Sequence, residues 1–222
     1  MISSDNQKLC LIKRQLSPAR LSTYEKYTNN LDEAIQLYWW NIQISSALFE
    51  CISICEVLIR NTISQALIEL HGENWAMNKT FQASLADKTR KSLQEAINGV
   101  QSTDQVIAKL SFFFWQQFFT KRFDHQLWQG RLAKYFPNLM MPTLPEARKA
   151  IFDDLEKIRW LRNRIAHHEP IFNKDIENSY QIIQQLIAYQ SPSIACQMND
   201  WQRVEVLLQS SPIQLIQPKE TL

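Results

Sequence analysis

Three glycines in 222 residues constrain this chain before any motif is considered. Tight hairpins, β-bulges and phosphate-cradling loops all draw on glycine, which reaches left-handed backbone angles at low cost. Gly72, Gly99 and Gly130 are too few and too scattered to build a glycine-rich phosphate loop. Such a chain is expected to consist of helices joined by Pro, Asn and Ser turns. Periodicity agrees. From Leu31 to His71 there is neither proline nor glycine, and Leu48, Cys51, Ile52, Cys55, Leu58, Ile59, Ile63, Leu67 and Leu70 recur at three- and four-residue steps. That is the stripe of an amphipathic helix. Its length suggests two helices divided near Asn41, with Gly72 as the C-terminal stop.

Downstream, residues 73–80 and 99–104 read as loops, and "DQVIAKLSFFFWQQFFTKRF" reads as one aromatic-rich helix whose stripe belongs to a core. "FPNLMMPTLPE" is a proline-punctuated connection ending in Thr143-Leu-Pro-Glu146, a capping box with proline in the first turn. The helix it opens carries Ala147, Ile151, Leu155, Ile158, Leu161 and Ile165 on one seam, and Pro170 is expected to end it. Two further helices are expected over about 175–190 and 194–209, separated by "SPS". The organisation expected is one all-α domain over 20–209, with an N-terminal extension at 1–19 and a tail at 210–222.

Hydrophobic residues at 45% and charged residues at 21% match an ordinary soluble globular protein. The net charge of +2 is too small to require a polyanionic partner. Its distribution is uneven: Thr120–Ile165 holds ten Lys/Arg against five Asp/Glu, which fits either a phosphate-binding groove or one solvated face. Cys10, Cys51, Cys55 and Cys196 lack metal-ligand spacing, and Cys51 and Cys55 read as small core hydrophobes. "MISSDNQKLC" lacks the apolar core of a signal peptide, and "LSFFFWQQFF" is too short to span a bilayer. A cytoplasmic protein with no membrane segment is expected.

The residues that carry chemistry are concentrated in "WLRNRIAHHEP", residues 160–170, which holds two of the four histidines. Arg162 and His167 stand five apart near a helix C-terminus. At 100° per residue they point about 140° apart on a regular helix, whereas Asn163 and His167, or Arg164 and His168, share a face. For Arg162 and His167 to act on one phosphate, either the last turn loosens or a second chain brings its copy alongside. A histidine can take the proton of a ribose 2′-hydroxyl or protonate a leaving 5′-oxygen. The forked guanidinium of arginine matches the charge that develops on the phosphorane. Asn163 could hold the imidazole or a phosphate oxygen. Two structural roles compete with this chemistry. A histidine in the last turn is favoured by the helix dipole, and Arg162 could be held by an internal acid such as Glu56. Metal binding by His167, His168 and Glu169 is disfavoured, because adjacent histidines point in different directions on a helix.

"IRWLRNRIAHHEPIF" resembles the R-x4-6-H signature of HEPN domains, specifically the Abi-like (abortive infection) proteins of bacteria. "LYWWNIQISSALFECISICEVLIRNTISQALIELHGENW" is similar to that family's N-terminal helices with their Glu-x-x-x-Arg-Asn core, and "LSFFFWQQFF", "LWQGRLAKYFP" and "YQIIQQLIAYQSPSIACQ" follow its order, over roughly residues 20–209. One departure is Phe113, where the family's F-G-F-W-like stretch is expected to hold glycine; a ring there would crowd a close helix contact. The resemblance implies a single HEPN-like helical bundle domain with additional helices, commonly dimeric, and in many members a metal-independent endoribonuclease without cofactor. Carried over, Arg162 and His167 are the catalytic pair and Asn163 the polar residue after the arginine; His168, Glu56 and Arg60 are supporting candidates. Glu56 and Arg60 match the upstream core, are spaced for a helical ion pair, and read as structural first. The partners implied are RNA, a second copy, and an antitoxin protein or RNA, in toxin–antitoxin, CRISPR or phage-defence settings. Trp115, Trp128 and Trp160 lie near the basic stretch and could stack exposed bases, although core positions are the commoner use of tryptophan. A non-catalytic helical dimer that binds RNA or a partner protein is the alternative.

Overall fold

The computed structural model describes residues 4–212, and all regular structure among them is helical. In chain order the α-helices are α1 (Ser4–Leu16), α2 (Pro18–Glu25), α3 (Leu31–His71), α4 (Lys79–Ser84), α5 (Asp87–Ile97), α6 (Thr103–Lys109), α7 (Phe112–Gln116), α8 (Leu132–Tyr135), α9 (Leu144–Ala166), α10 (Ile176–Gln190), α11 (Pro192–Trp201) and α12 (Val204–Gln209). Short 3-10 turns at Trp75–Met77 and Gln117–Phe119 and a π-helical turn at Asp124–Trp128 fill in the remainder. The all-α expectation holds. Part of the expected tail, from residue 213 on, lies outside the described residues. The expected extension contains α1 and the start of α2.

Among the described residues the helices gather into two compact units, one made of 4–50, 161–180 and 201–212, the other of 51–160 and 181–200. The boundaries fall inside α3, α9 and α10 and at the last residue of α11, where no change of composition marks them.

In the first unit Leu21, Tyr24, Leu37, Ile44, Leu48, Ile171, Phe172 and Tyr180 are buried. The Tyr24 ring lies 5.3 Å from Tyr38 and 5.0 Å from Phe172, and burial holds its hydroxyl well above the ordinary phenol range. α3 runs unbroken through Asn41, correcting the expected division there. The Asn41 side chain is engaged elsewhere. It is buried, and its Oδ1 accepts the backbone N–H groups of Ile171 (2.8 Å) and Phe172 (3.0 Å). The strap after Pro170 therefore has its amides satisfied by a helix side chain. Asn41→Ala would leave both amides buried and unpaired, and should cost about 2 kcal/mol of stability in chemical denaturation.

The second unit has an aromatic core of Trp75, Phe81, Phe114, Trp115, Phe118, Phe119, Trp128 and Phe136. Phe119 and Trp128 stack at 4.9 Å, and the Trp128 Nε1–H donates to the Phe118 carbonyl at 2.7 Å. Trp115 and Trp128 are thus core, while Trp160 is 49% exposed. The expected single helix over 104–123 is two helices and a 3-10 turn. The first ends at Lys109 with Leu110 as its C-cap, and Ser111 caps the second, its Oγ accepting the Phe114 N–H at 3.3 Å. Phe113, where the resemblance led to glycine, is half-buried, with Lys88 Nζ 4.7 Å and Arg159 Cζ 5.4 Å from its ring centroid, so the ring meets cations. Cys51 and Cys55 are fully buried as expected, and burial pushes the Cys55 thiol up to about 12. Gly72 ends α3 with φ +80°. Residues 79–84, expected in part as loop, form α4, and the C-terminal expectation of one helix over 194–209 resolves into α11 and α12.

α3 contains an eighteen-residue window of mean hydropathy 1.7, so by length and composition it could cross a bilayer, a property the sequence reading did not single out. Its core positions, from Ala34 to Leu67, are what the same composition supplies to a helical bundle.

Candidate functional site at the end of α9

α9 starts at the expected cap. The Thr143 Oγ1 accepts the Glu146 N–H at 3.4 Å, and its hydroxyl donates to the Glu146 carboxylate at 2.8 Å. On the seam, Ala147, Ile151, Leu155, Ile158 and Leu161 are buried, whereas Ile165 is only half-buried.

The C-terminus is more unusual. The His167 N–H still bonds the Asn163 carbonyl at 3.0 Å, so regular helical spacing persists through His167. At His168 the backbone turns left-handed, with φ +54°. The His168 N–H donates to Ile165 (3.0 Å) and the Glu169 N–H to Arg164 (2.9 Å), the paired bonds of a Schellman cap. Glycine normally occupies that left-handed position, because a Cβ there meets the neighbouring carbonyl. Side chains pin the corner. Arg164 pairs with the Glu169 carboxylate at 2.8 Å and donates to the Pro170 carbonyl at 2.8 Å, while Arg20 Nη1 donates to the His168 carbonyl at 2.8 Å. The helix ends at Ala166, a turn before Pro170, because this cap closes it first.

The sequence-derived site residues separate into two groups. Arg162, Asn163, His167 and His168 lie together in the first unit; Glu56 and Arg60 lie on α3 in the second. Glu56 and Arg60 do not form the ion pair that their spacing permits among the described residues, and Arg60 Nε is buried without a hydrogen bond. Arg162 is half-buried, no ion pair holds it among the described residues, and its Nε is buried without a hydrogen-bond partner. The internal acid considered for it is therefore not in place. Asn163 is half-buried, and His167 and His168 are exposed. Since the helix does not loosen before His168, Arg162 and His167 remain about 140° apart on one chain. Of the two ways to unite them, intrachain unwinding is absent from this structure.

His168→Gly tests what the strained corner is for. Glycine relieves the left-handed angle and keeps the carbonyl that Arg20 holds, so stability should rise by about 1 kcal/mol. Loss of function in the stabilised protein would mark the imidazole as used, since non-glycine residues at such angles persist mainly where surroundings or function demand them.

The basic stretch is largely neutralised within the chain. Arg131 and Lys134 pair with Glu69, Arg148 with Asp124, Lys149 with Asp153, Lys157 with Asp154, Arg159 with Glu156 and Arg164 with Glu169. Glu69 is held below the usual carboxylate range, chiefly by the hydrogen bond from Lys134 and then by that from Tyr135. An open phosphate groove along this stretch is not what the pairing produces. Sequence reasoning missed Arg20, Asn41 and the Arg164–Glu169 pair as supports of the corner, since Arg20 meets it from 148 residues away.

Among the described residues no group of three His, Cys, Asp or Glu side chains is placed to hold a metal ion. No protein-family model, curated protein or solved structure matches the chain.

Proposed function

We propose that this chain is a HEPN-type, metal-independent endoribonuclease of the Abi-like kind, acting on RNA in phage defence or a toxin–antitoxin system. The supporting observation is the state of Arg162. Its Nε is buried without a hydrogen bond and no carboxylate pairs with the guanidinium among the described residues, one and a half turns from an exposed His167. A buried guanidinium nitrogen left unpaired is costly, and a functional role is among the explanations such an exception calls for. An RNA phosphate supplies what is missing. His167 takes the proton from the 2′-hydroxyl, whose oxygen attacks the adjacent phosphorus. The 5′-oxygen leaves and takes a proton from the imidazolium of His167 or from water, giving a 2′,3′-cyclic phosphate and a 5′-hydroxyl. Arg162 offsets the charge on the phosphorane, and Asn163 orients the imidazole or a phosphate oxygen.

The same proposal places the protein in the cytoplasm as a homodimer, with a neutralising antitoxin among its partners. Because Arg162 and His167 diverge on one helix, the working site combines Arg162 of one copy with His167 of the other. Incubation of total RNA with the wild-type protein and with His167→Ala tests the proposal. Cleavage by the first and not the second is expected; equal cleavage, or none by either, contradicts it. A second reading, a non-catalytic dimer that binds RNA or a protein, is favoured by one observation, the intrachain neutralisation of the basic stretch. Binding of RNA without cleavage by the wild-type protein would select it.

A further inference from the structure

We propose that a cavity in the second unit, between the π-helical turn at Asp124–Trp128 and the connection leading into α9, binds a guanine base through the Asp124 carboxylate. The cavity holds about 530 Å³, inside the range of roughly 300–1,000 Å³ found for small-ligand sites. Its lining residues run from Asp124 to Ala147, so it lies wholly within one unit. Leu132, Ala133, Leu139, Met141, Pro142 and Leu144 are among the apolar side chains of its walls. A flat ring packs well on such side chains, and a methionine sulfur adds a favourable contact with an aromatic edge.

Asp124 decides the chemistry. It is only 6% exposed, and a carboxylate so buried has two oxygens to satisfy. Oδ1 accepts from Arg148 Nε at 2.7 Å, and Arg148 is fixed in turn by donating to the Phe119 carbonyl at 2.8 Å. Oδ2 has no hydrogen bond among the described residues and is not sealed off, so a donor can reach it from the cavity that Asp124 lines. The other polar side chains of the lining already hold partners. His125 and Gln129 bond each other at 2.7 Å, Arg131 pairs with Glu69, and Thr143 bonds Glu146. The turn that carries Asp124 is closed by the Gln129 N–H donating to the Asp124 carbonyl, five residues back, at 2.8 Å. π-Helical turns of this kind recur at functional sites.

Two features select guanine. Arg148 already balances the charge of Asp124, so a second cation would bring uncompensated positive charge into a half-enclosed apolar space, and a neutral N–H donor fits better. The carboxylate paired with Arg148 is an acceptor only, so it repels any acceptor lying beside the donor it receives. Adenine and cytosine carry a ring-nitrogen acceptor next to the amino group, and uracil flanks its N–H with carbonyls. Guanine alone among the RNA bases presents a ring N–H and an amino group side by side on the edge that proteins read in an unstacked base. This inference does not depend on the ribonuclease proposal, because binding is measured without cleavage.

Calorimetric titration of the full chain with the 5′-monophosphates of guanosine, inosine and adenosine (GMP, IMP and AMP) provides the test. GMP should bind with a Kd on the order of 100 µM or tighter, as befits a ligand of this size. IMP, which lacks the amino group, should bind about tenfold more weakly, the scale of one hydrogen bond to a charged group. AMP, which sets an acceptor against the carboxylate, should bind about 100-fold more weakly than GMP. Asp124→Asn keeps an acceptor for Arg148 but turns an amide N–H toward the base, so it should abolish the preference for GMP over AMP. Should that variant fail to fold, Ala133→Trp, at an exposed position of the lining, fills the cavity and should abolish GMP binding with the thermal midpoint unchanged. Undetectable GMP binding, equal affinity for GMP and AMP, a folded Asp124→Asn protein that still prefers GMP, or GMP binding that survives Ala133→Trp overturns the proposal. The pentanucleotides UUGUU and UUAUU, titrated into the His167→Ala protein, separate two sources of the base. Tighter binding of UUGUU than of GMP assigns the guanine to an RNA strand, and weaker binding assigns it to a free nucleotide; both keep the site. Guanine-selective binding by a protein that cuts no RNA rejects only the ribonuclease reading, and cleavage by a protein with no guanine selectivity rejects only this site.

Discussion

Alanine in place of His167 is expected to lower RNA cleavage about 100-fold or more while leaving the thermal unfolding midpoint near the wild-type value. The size follows from removing the group that moves the proton off the attacking hydroxyl. The unchanged stability follows from exposure: His167 makes no side-chain hydrogen bond or ion pair among the described residues, so its loss removes little that folding depends on. Arg162→Ala is expected to reduce cleavage by a similar factor through the phosphorane. Its effect on folding is informative in its own right. With no ion pair to break and an Nε already lacking a hydrogen bond, alanine should not destabilise the chain through lost electrostatics. Retained cleavage in His167→Ala, measured as initial rate on total RNA, would mean that the imidazole is not the base. Unfolding of Arg162→Ala would instead assign the arginine to the scaffold.

A substrate carrying a single 2′-deoxy nucleotide at the cleavage position should resist cutting there altogether, because the nucleophile is missing. The expected contrast is at least as large as that of the His167 variant, and it isolates the chemistry from any question of protein folding. Cleavage of the all-ribose substrate should continue in excess EDTA and leave a 2′,3′-cyclic phosphate or its opened product, since the proposed base is an imidazole. Mass spectrometry of the product ends reads this directly. Cutting at the 2′-deoxy position, or products ending in a 3′-hydroxyl, would contradict the mechanism.

How far the sequence could be read depends on whether a signal was local. Helical class was legible, because the scarcity of glycine and the three-and-four spacing of apolar residues act within single elements. The start of α9 was equally legible: Thr143 and Glu146 are three residues apart and cap as a box. The predicted break near Asn41 failed because it rested on length, and length does not show that a 41-residue helix can be held by partners as distant as a strap 130 residues away. Likewise Ser111 divides an aromatic run that looked continuous, since its capping role is apparent only once the backbone turns. At the candidate site the residues of one motif were recognisable, and so was the angle between Arg162 and His167. The left-handed His168 was not, because a histidine in place of the usual capping glycine gives no sequence cue. Nor could a net excess of basic residues reveal that Glu69 engages two of them and Asp124, Asp153 and Asp154 one each.

The two-chain site makes a quantitative demand on a single mixing experiment. Arg162→Ala and His167→Ala proteins, each inactive alone, are combined, allowed to exchange subunits, and assayed for initial cleavage rate against the wild type at equal total concentration. In a randomly exchanged mixture half of the dimers are heterodimers, and each has one composite site of its two intact, so activity should return to about a quarter of the wild-type rate. A mixture that stays as inactive as its parents, although subunit exchange is verified by mass, would contradict the account that Arg162 and His167 act together across two copies of the chain.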